Sequence, residues 1–300
     1  MPLSRKIKRK AGVIGLGIIG ANVAASLRHA GFQTFVWNRT PKPAPNFLGS
    51  PGDVAQSCEV IQLFVSDANA VNEMIDAMGS KLTPKHVVVC SSTIGMDGTL
   101  AAARKVQGYG ASFLDAPFTG SKLAAEKHHL VYYVGGEEQV FVRTKPQLEA
   151  SSKAIIRVGD VGDAAIIKVV TNMISAATNQ SLAESLAIVR KAGIDPNVLA
   201  EALHHNAARS GVIDLKLPKM IEGNFEPHFA LKHMLKDVKL GIHLAEQLGV
   251  STPAAVSVAS AMTQAVTHGW DNLDFSAVAK LNQDQGDASE AGDFEIVNES

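Results

Sequence analysis

The sequence predicts an α/β fold, a doubly wound parallel sheet followed by an all-helical C-terminal domain, on three observations. Short apolar runs alternate with helix-length segments up to about Val161, the pattern of a largely parallel sheet covered on both faces. Beyond Val161 the strand pattern stops. Residues 162–191 then contain no proline and no glycine after the first position, which reads as one helix roughly 40 Å long at 1.5 Å per residue, enough to join two domains.

In chain order, strands are expected at 13–15, 34–37, 60–65, 86–90, 112–115, 131–135 and 154–158, where aliphatic residues cluster between turn formers. Helices are expected between them at 18–29, 68–78, 99–106 and 137–148, and after the long helix at 196–205, 230–248 and 253–267. A chain of 300 residues suits two domains. The expected division is 1–162, 163–285 and an acidic tail, 286–300, expected to be disordered.

Composition narrows the class. Hydrophobic residues make up 46% and aromatics only 5%, so the core is built from Ala, Val, Ile and Leu. A net charge of −1 offers no electrostatic case for nucleic acid or an anionic membrane. No uncharged apolar run reaches membrane-spanning length. Cys58 and Cys90 lie far apart and read as buried, reduced thiols, so a cytoplasmic setting is expected. Arg5, Lys6, Lys8, Arg9 and Lys10 precede the first strand without an apolar segment and read as a solvated lead-in. The pairs His128-His129 and His204-His205 are expected to point apart, and H-E-x-x-H and C-x-x-C are both absent, so no metal site is expected.

Gly15-Leu16-Gly17-Ile18-Ile19-Gly20 follows the first strand and opens the first helix. In that setting Gly15 permits the turn out of the strand, Gly17 lets backbone approach a pyrophosphate, and Gly20 lets helix and sheet pack closely. The helix N-terminus offers unpaired N–H groups and partial positive charge to phosphate. This is the arrangement of a Rossmann-type dinucleotide site. The next strand ends at Asn38-Arg39-Thr40, where an NAD site usually places an acid on the ribose 2′-hydroxyl. Asn38 repels no 2′-phosphate, Arg39 can pair with one bidentately, and Thr40 adds a hydroxyl, so the cofactor is read as NADP(H). The plainer alternative is that Asn38 and Thr40 shape a turn before Pro41 and Arg39 is solvated. Val65 and Ser66, ending the third strand, are counted with the cofactor site.

Four further segments hold candidate chemistry. Ser91-Ser92-Thr93-Ile94 lies at the carboxyl edge of the sheet, where open α/β sheets bind ligands. Backbone N–H groups at Gly120 and Ser121, with the Thr119 hydroxyl, are placed to hold a small carboxylate. Lys168 and Asn172 lie one turn apart near the start of the long helix. Phe229, Lys232, His233, Lys236 and Asp237 have the spacing of one helix face.

Taken together, these motifs, with Asp115-Ala116-Pro117-Phe118-Thr119-Gly120-Ser121-Lys122, Gly159-Asp160-Val161-Gly162 and Asp274-Phe275-Ser276-Ala277-Val278, resemble the β-hydroxyacid dehydrogenases over about 11–281. Within that family the likeness is to glyoxylate/succinic semialdehyde reductases. The resemblance implies that Lys168 is the general acid and that Asn172 orients the substrate. It also implies that Thr119 and Gly120 hold the substrate carboxylate and that Thr93 contacts nicotinamide ribose or substrate. Phe229 and Asp237 would close the cleft from the helical domain, with Lys236 beside the cofactor. Lys168 near a helix N-terminus and partly desolvated is expected to have a lowered pKa.

The implied partners are a small aldehyde acid or hydroxy acid and a second copy of the chain, as homodimer or homotetramer. Thr119 stands where the family usually has serine, Phe118 where it has a smaller aliphatic, Ala164 where it has glycine, and His128-His129 at a usual glycine turn. Those departures bear on substrate more than on reaction class. A 3-hydroxyisobutyrate-type dehydrogenase, an imine reductase and a catalytically silent NADP-binding protein are the competing readings. Lys168 argues against the imine reductase, and the Lys168/Asn172 pair against the silent protein.

Overall fold

The computed structural model describes residues 9–282. The acidic tail, 286–300, and most of the basic lead-in lie outside the described residues. The chain forms two compact units: residues up to 173 together with 236–252, and residues 174–235 together with those from 253 onward.

The first unit is built on β1 (Lys10–Ile14), α1 (Ile18–His29), β2 (Gln33–Trp37), α2 (Pro51–Ser57), β3 (Val60–Leu63), α3 (Ala68–Met78), β4 (Val87–Cys90), α4 (Gly95–Gly108) and β5 (Ser112–Asp115). These continue into β6 (Phe118–Thr119), α5 (Lys122–Glu126), β7 (Leu130–Gly135), α6 (Glu138–Glu149) and β8 (Ser152–Gly159). Strands run in the order β2-β1-β3-β4-β5-β7-β6, with β8 also pairing β7. β1 to β5 are parallel, while β7 runs antiparallel to β5 and β6 and parallel to β8.

The parallel strands are buried on both faces, and their side chains alternate between two cores. Ile14, Ile61, Leu63 and Val88 pack with α2, α3 and α4, whereas Val13, Val36, Val87, Val89 and Leu114 pack with α1 and α6. The connection from β1 leads to β2 on one side and that from its neighbour β3 leads to β4 on the other, so the topological switch point lies at the carboxyl ends of β1 and β3.

The helix α7 (Asp163–Lys191) spans 29 residues as the sequence predicts. Its first turn is fixed by Asp115 at the end of β5. That carboxylate is 1% exposed and accepts the Gly162 and Ala165 N–H groups at 3.1 and 2.9 Å. Burial pushes the Asp115 carboxyl up to about 7, opposed by the two N–H donors, with Asp163 adding to the rise.

The second unit contains α8 (Pro196–His204), α9 (Gly211–Glu222), the start of α10 (Leu231–Gln247) and α11 (Pro253–Thr267), ending in a 3-10 segment at Phe275–Asn282. At its centre Lys216 on α9 and Asp274 form an ion pair at 2.7 Å, with side chains 3% and 0% exposed. Asp274 also accepts N–H groups from His228, Phe229 and Ser276. Burial alone would raise its carboxyl, but Lys216 and Ser276 outweigh that and hold it below the usual range.

Four elements were not expected from periodicity. α2 starts with Ser50 capping Asp53 N–H and proline in its first turn, a start signal ahead of only seven residues. β6 and α5 are too short to show a period. α9 is capped by Ser210 at one end and left-handed Gly223 at the other, but Pro218 inside it masks the pattern. The rings of His204 and His205, expected to point apart, meet edge to face at 5.0 Å, because His205 is the non-helical cap that ends α8. His128 sits at φ +58°, the left-handed turn where the family's glycine is usual. Cys58 and Cys90 are buried free thiols. Among the described residues no helix is long and apolar enough to cross a membrane, and no group of three or more His, Cys, Asp or Glu is placed for a metal.

Two outcomes are expected. Lys216→Met leaves the buried Asp274 charge uncompensated and lowers the free energy of urea unfolding by about 3 kcal/mol. Asp115 is an acid whose folded pKa lies above its unfolded value of about 3.9. The wild type therefore loses stability relative to Asp115→Asn as pH rises from about 4 to about 7, and urea midpoints at the two limits measure the change.

Candidate active site

At the carboxyl edge, the loop from Gly15 to Gly20 is bound into the sheet. Gly15 has φ +95°, and a Cβ there would lie 2.1 Å from the Phe64 carbonyl oxygen. At Gly20 a Cβ would lie 2.0 Å from the Gly15 carbonyl oxygen, so helix and loop are in backbone contact. Gly17 is the N-cap of α1, exposed, with open space beyond it, no side-chain cap and no acid in the first turn. An uncapped helix N-terminus behind a side-chain-free surface fits a pyrophosphate. Leu16, Ile18 and Ile19 complete this loop, Leu16 buried and Ile18 exposed.

Asn38 takes a role beyond the lack of charge read from the sequence. Its Oδ1 accepts the Leu16 N–H at 2.8 Å and its Nδ2 donates to the Thr40 carbonyl at 2.7 Å, tying the end of β2 to the glycine loop. Arg39 and Thr40 are exposed beside it. Lys42, which the sequence reading missed, donates to the Leu16 carbonyl at 2.7 Å and so adds a second cation beside Arg39. After β3, the Val65 N–H donates to the buried Ser92 hydroxyl at 2.8 Å, which registers this loop against the one after β4. The Ser66 hydroxyl is 2.6 Å from Asp67, the N-cap of α3.

The remaining candidates of the first unit form one chain of contacts. Lys168 Nζ donates to Asn172 Oδ1 at 3.0 Å, and Asn172 Nδ2 donates to Asp237 Oδ2 at 2.6 Å. Asp237 Oδ1 lies 2.8 Å from Lys236 Nζ, which in turn donates to the Thr93 carbonyl. Lys168, Asn172 and Asp237 are 9%, 6% and 1% exposed. Burial pushes the Lys168 ammonium down to about 8; the Asp237 carboxylate opposes the fall and Lys236 adds to it. The lowered value matches the expectation, with desolvation its main cause and Lys236, rather than the helix N-terminus, the second.

Lys168 Nζ also lies 6.0 Å from the centre of the Phe118 ring. Thr119, Gly120 and Ser121 follow directly: Thr119 pairs with Val131 on β7, Gly120 turns at φ +134°, and Ser121 begins α5 with its hydroxyl uncommitted to a cap. Phe118 itself packs against Phe64 and Tyr132.

One expectation needs correction. The helix begins at Leu231, so Phe229 lies ahead of it rather than on a shared helix face with Lys236 and Asp237. Phe229 belongs to the second unit, where it stacks on His233 and meets Phe275 edge to face, each at 6.2 Å. Lys232 is exposed and donates to Asn272.

Comparison with known proteins agrees with the fold. A model described as the NAD-binding domain of 6-phosphogluconate dehydrogenase matches residues 10–159. Another, described as the NAD-binding region of NADP-dependent 3-hydroxyisobutyrate dehydrogenase, matches residues 162–282. Glyoxylate/succinic semialdehyde reductase 2, chloroplastic, of Arabidopsis thaliana is 31% identical over 89% of this chain and 77% of that protein. 2-Hydroxy-3-oxopropionate reductase of Escherichia coli is 31% identical over 90% of this chain and 96% of that protein. The crystal structure of 3-hydroxyisobutyrate dehydrogenase from Salmonella typhimurium superposes with TM-score 0.84 at 25% identity, covering 91% of this chain and 100% of that one. The chain is thus an NAD(P)-dependent dehydrogenase acting on a CH–OH group with a nicotinamide dinucleotide as cofactor. A glycine loop at the switch point of a parallel sheet, a buried lysine on the helix that follows, and relatives matched over most of the chain lead to one assignment: the chain belongs to the β-hydroxyacid dehydrogenase family.

Proposed function

We propose that the chain reduces a small aldehyde acid of the glyoxylate or succinic semialdehyde class to the hydroxy acid, using NADPH. The observation that supports this most is the buried chain from Lys168 through Asn172 to Asp237, set beside the Phe118–Ser121 turn. When bound, the reduced nicotinamide supplies a hydride to the carbonyl carbon. Negative charge then develops on the carbonyl oxygen, and a nearby ammonium both stabilises it and supplies the proton. Lys168 has three ammonium protons and gives one to Asn172, which leaves it able to reach a substrate oxygen. Asn172 and Asp237 hold it in place and keep it charged. Thr119, Gly120 and Ser121 offer a hydroxyl and backbone donors to the substrate carboxylate.

Three features support NADPH over NADH: no carboxylate stands at the end of β2, Arg39 is exposed there, and Lys42 is anchored on Leu16. A dianionic 2′-phosphate gains charge-assisted hydrogen bonds from such a pair of cations, whereas a ribose hydroxyl gains little. The relatives named as glyoxylate/succinic semialdehyde reductases support the substrate class.

Lys168→Met is expected to lower kcat for glyoxylate or succinic semialdehyde by roughly 10²–10⁴ and to leave NADPH affinity within about twofold. In the wild type, kcat/KM for reduction falls as pH rises through about 8, since Lys168 must be protonated. Asp237→Asn removes the charge that holds this value up and moves the limb lower. An alkaline limb unaffected by Lys168→Met overturns the assignment, and faster turnover of 3-hydroxyisobutyrate in the oxidative direction favours the alternative dehydrogenase. For the cofactor, Arg39→Gln with Lys42→Gln is expected to weaken NADPH by about 10–100-fold in a fluorescence titration and NADH by less than about threefold.

A further inference from the structure

The edge of the sheet opposite the glycine loop holds a cavity of about 780 Å³, a size typical of small-molecule sites. It lies at the amino ends of the parallel strands, where Lys10 begins β1, Val60 begins β3 and His86 precedes β4. We propose that this cavity is a second binding site of the first unit, selective for a small phosphorylated molecule.

Its charge is one-sided. Arg9, Lys10, Lys81, Lys85 and Arg143 line it against a single carboxylate, Glu59. In a chain with net charge −1 such an excess is a local concentration of positive potential. Glu59 does not account for it, since among the described residues it pairs with Arg143 at 3.9 Å, and both side chains are half-exposed. The end of α2 does not account for it either. The Val54 carbonyl already accepts the Cys58 N–H and thiol, and the Ala55 carbonyl lies 2.8 Å from His86 Nε2.

The inner wall is polar but neutral. His86 Nδ1 accepts the Thr83 N–H, which leaves Nε2 to donate to Ala55 and makes the ring a neutral tautomer. Burial pushes the Cys58 thiol up to about 12, so no thiolate opposes an anion. Gln147 closes the back of this wall, 3% exposed, with both carboxamide atoms shielded from solvent. Phe32, Val142 and Pro146 supply apolar wall for the body of an organic phosphate. Several cations beside an apolar wall match a small phosphorylated molecule, whose charged part inorganic pyrophosphate reproduces.

Calorimetric titration of inorganic pyrophosphate into the full-length protein saturated with NADPH, at constant ionic strength, tests this. One saturable site is expected. Lys81→Gln with Lys85→Gln is expected to weaken it by about tenfold or more while NADPH-dependent turnover is unchanged. Arg39→Gln, at the cofactor edge, leaves it within about twofold. Absence of saturable heat, binding indifferent to the lysine variant, or binding lost with Arg39→Gln each overturns the proposal.

Discussion

A charged lysine side chain in a desolvated place is the constraint on which the candidate site depends. An ammonium removed from water tends to give up its proton, and burial lowers Lys168 accordingly. Asp237 limits that fall without touching Lys168, because Asn172 lies between them and hydrogen-bonds to both. Coulomb attraction falls with distance, so the inserted amide weakens the pull that a direct ion pair would exert. The result is an ammonium still charged near neutrality and closer in pKa to a working general acid than a free lysine.

That arrangement is only as good as the position of α7, which the sheet sets through one residue. Asp115 ends β5 and accepts two N–H groups from the first turn of the helix that bears Lys168 one turn later. A carboxylate at a helix N-terminus is favoured by the unpaired N–H groups and the aligned peptide dipoles. Here the acid comes from a strand rather than from the helix, so the cap also fixes helix to sheet. The same edge presents Gly17, Asn38, Val65 and Thr93. A single topological fact, that parallel strands end together, therefore brings the cofactor loop and the start of α7 to one side.

The parts of this readable from the residues alone were those with local signatures. The glycine loop, the 29-residue helix and the Lys168/Asn172 pair each follow from spacing within one or two turns. Asp115 was visible as part of a motif, but its partners lie 47 and 50 residues away, and no periodicity names them. Lys42 was missed, and Ser92 was named in its segment without its partner, for the same reason: each acts on a backbone group 26 or 27 residues distant. Phe229 misled in the other direction, because a helical spacing was extended two residues past the true start of α10. The late Asp274-Phe275-Ser276 match was noticed without its physical basis. Asp274 is the acceptor for Lys216 and for the backbone at His228, Phe229 and Ser276, a hub made entirely of long-range or turn contacts.

The two edges of the sheet show how one fold can treat anions in different ways. At the carboxyl edge, the groups offered to a phosphate are backbone ones: an uncapped helix N-terminus, a glycine surface and a partial charge fixed in space. Such donors do not titrate, and in the proposed function selectivity is left to the side chains at the end of β2. At the amino edge helices end rather than begin, so backbone there presents carbonyls and disfavours anions. Any anion bound at that edge must be held by side chains, and the cations that line the cavity there meet that requirement. Side-chain sites lose affinity as salt rises, because long lysines are screened and lose rotamer freedom on binding. The carboxyl edge is therefore suited to constant occupancy by a cofactor, and the amino edge to a ligand whose binding varies with conditions.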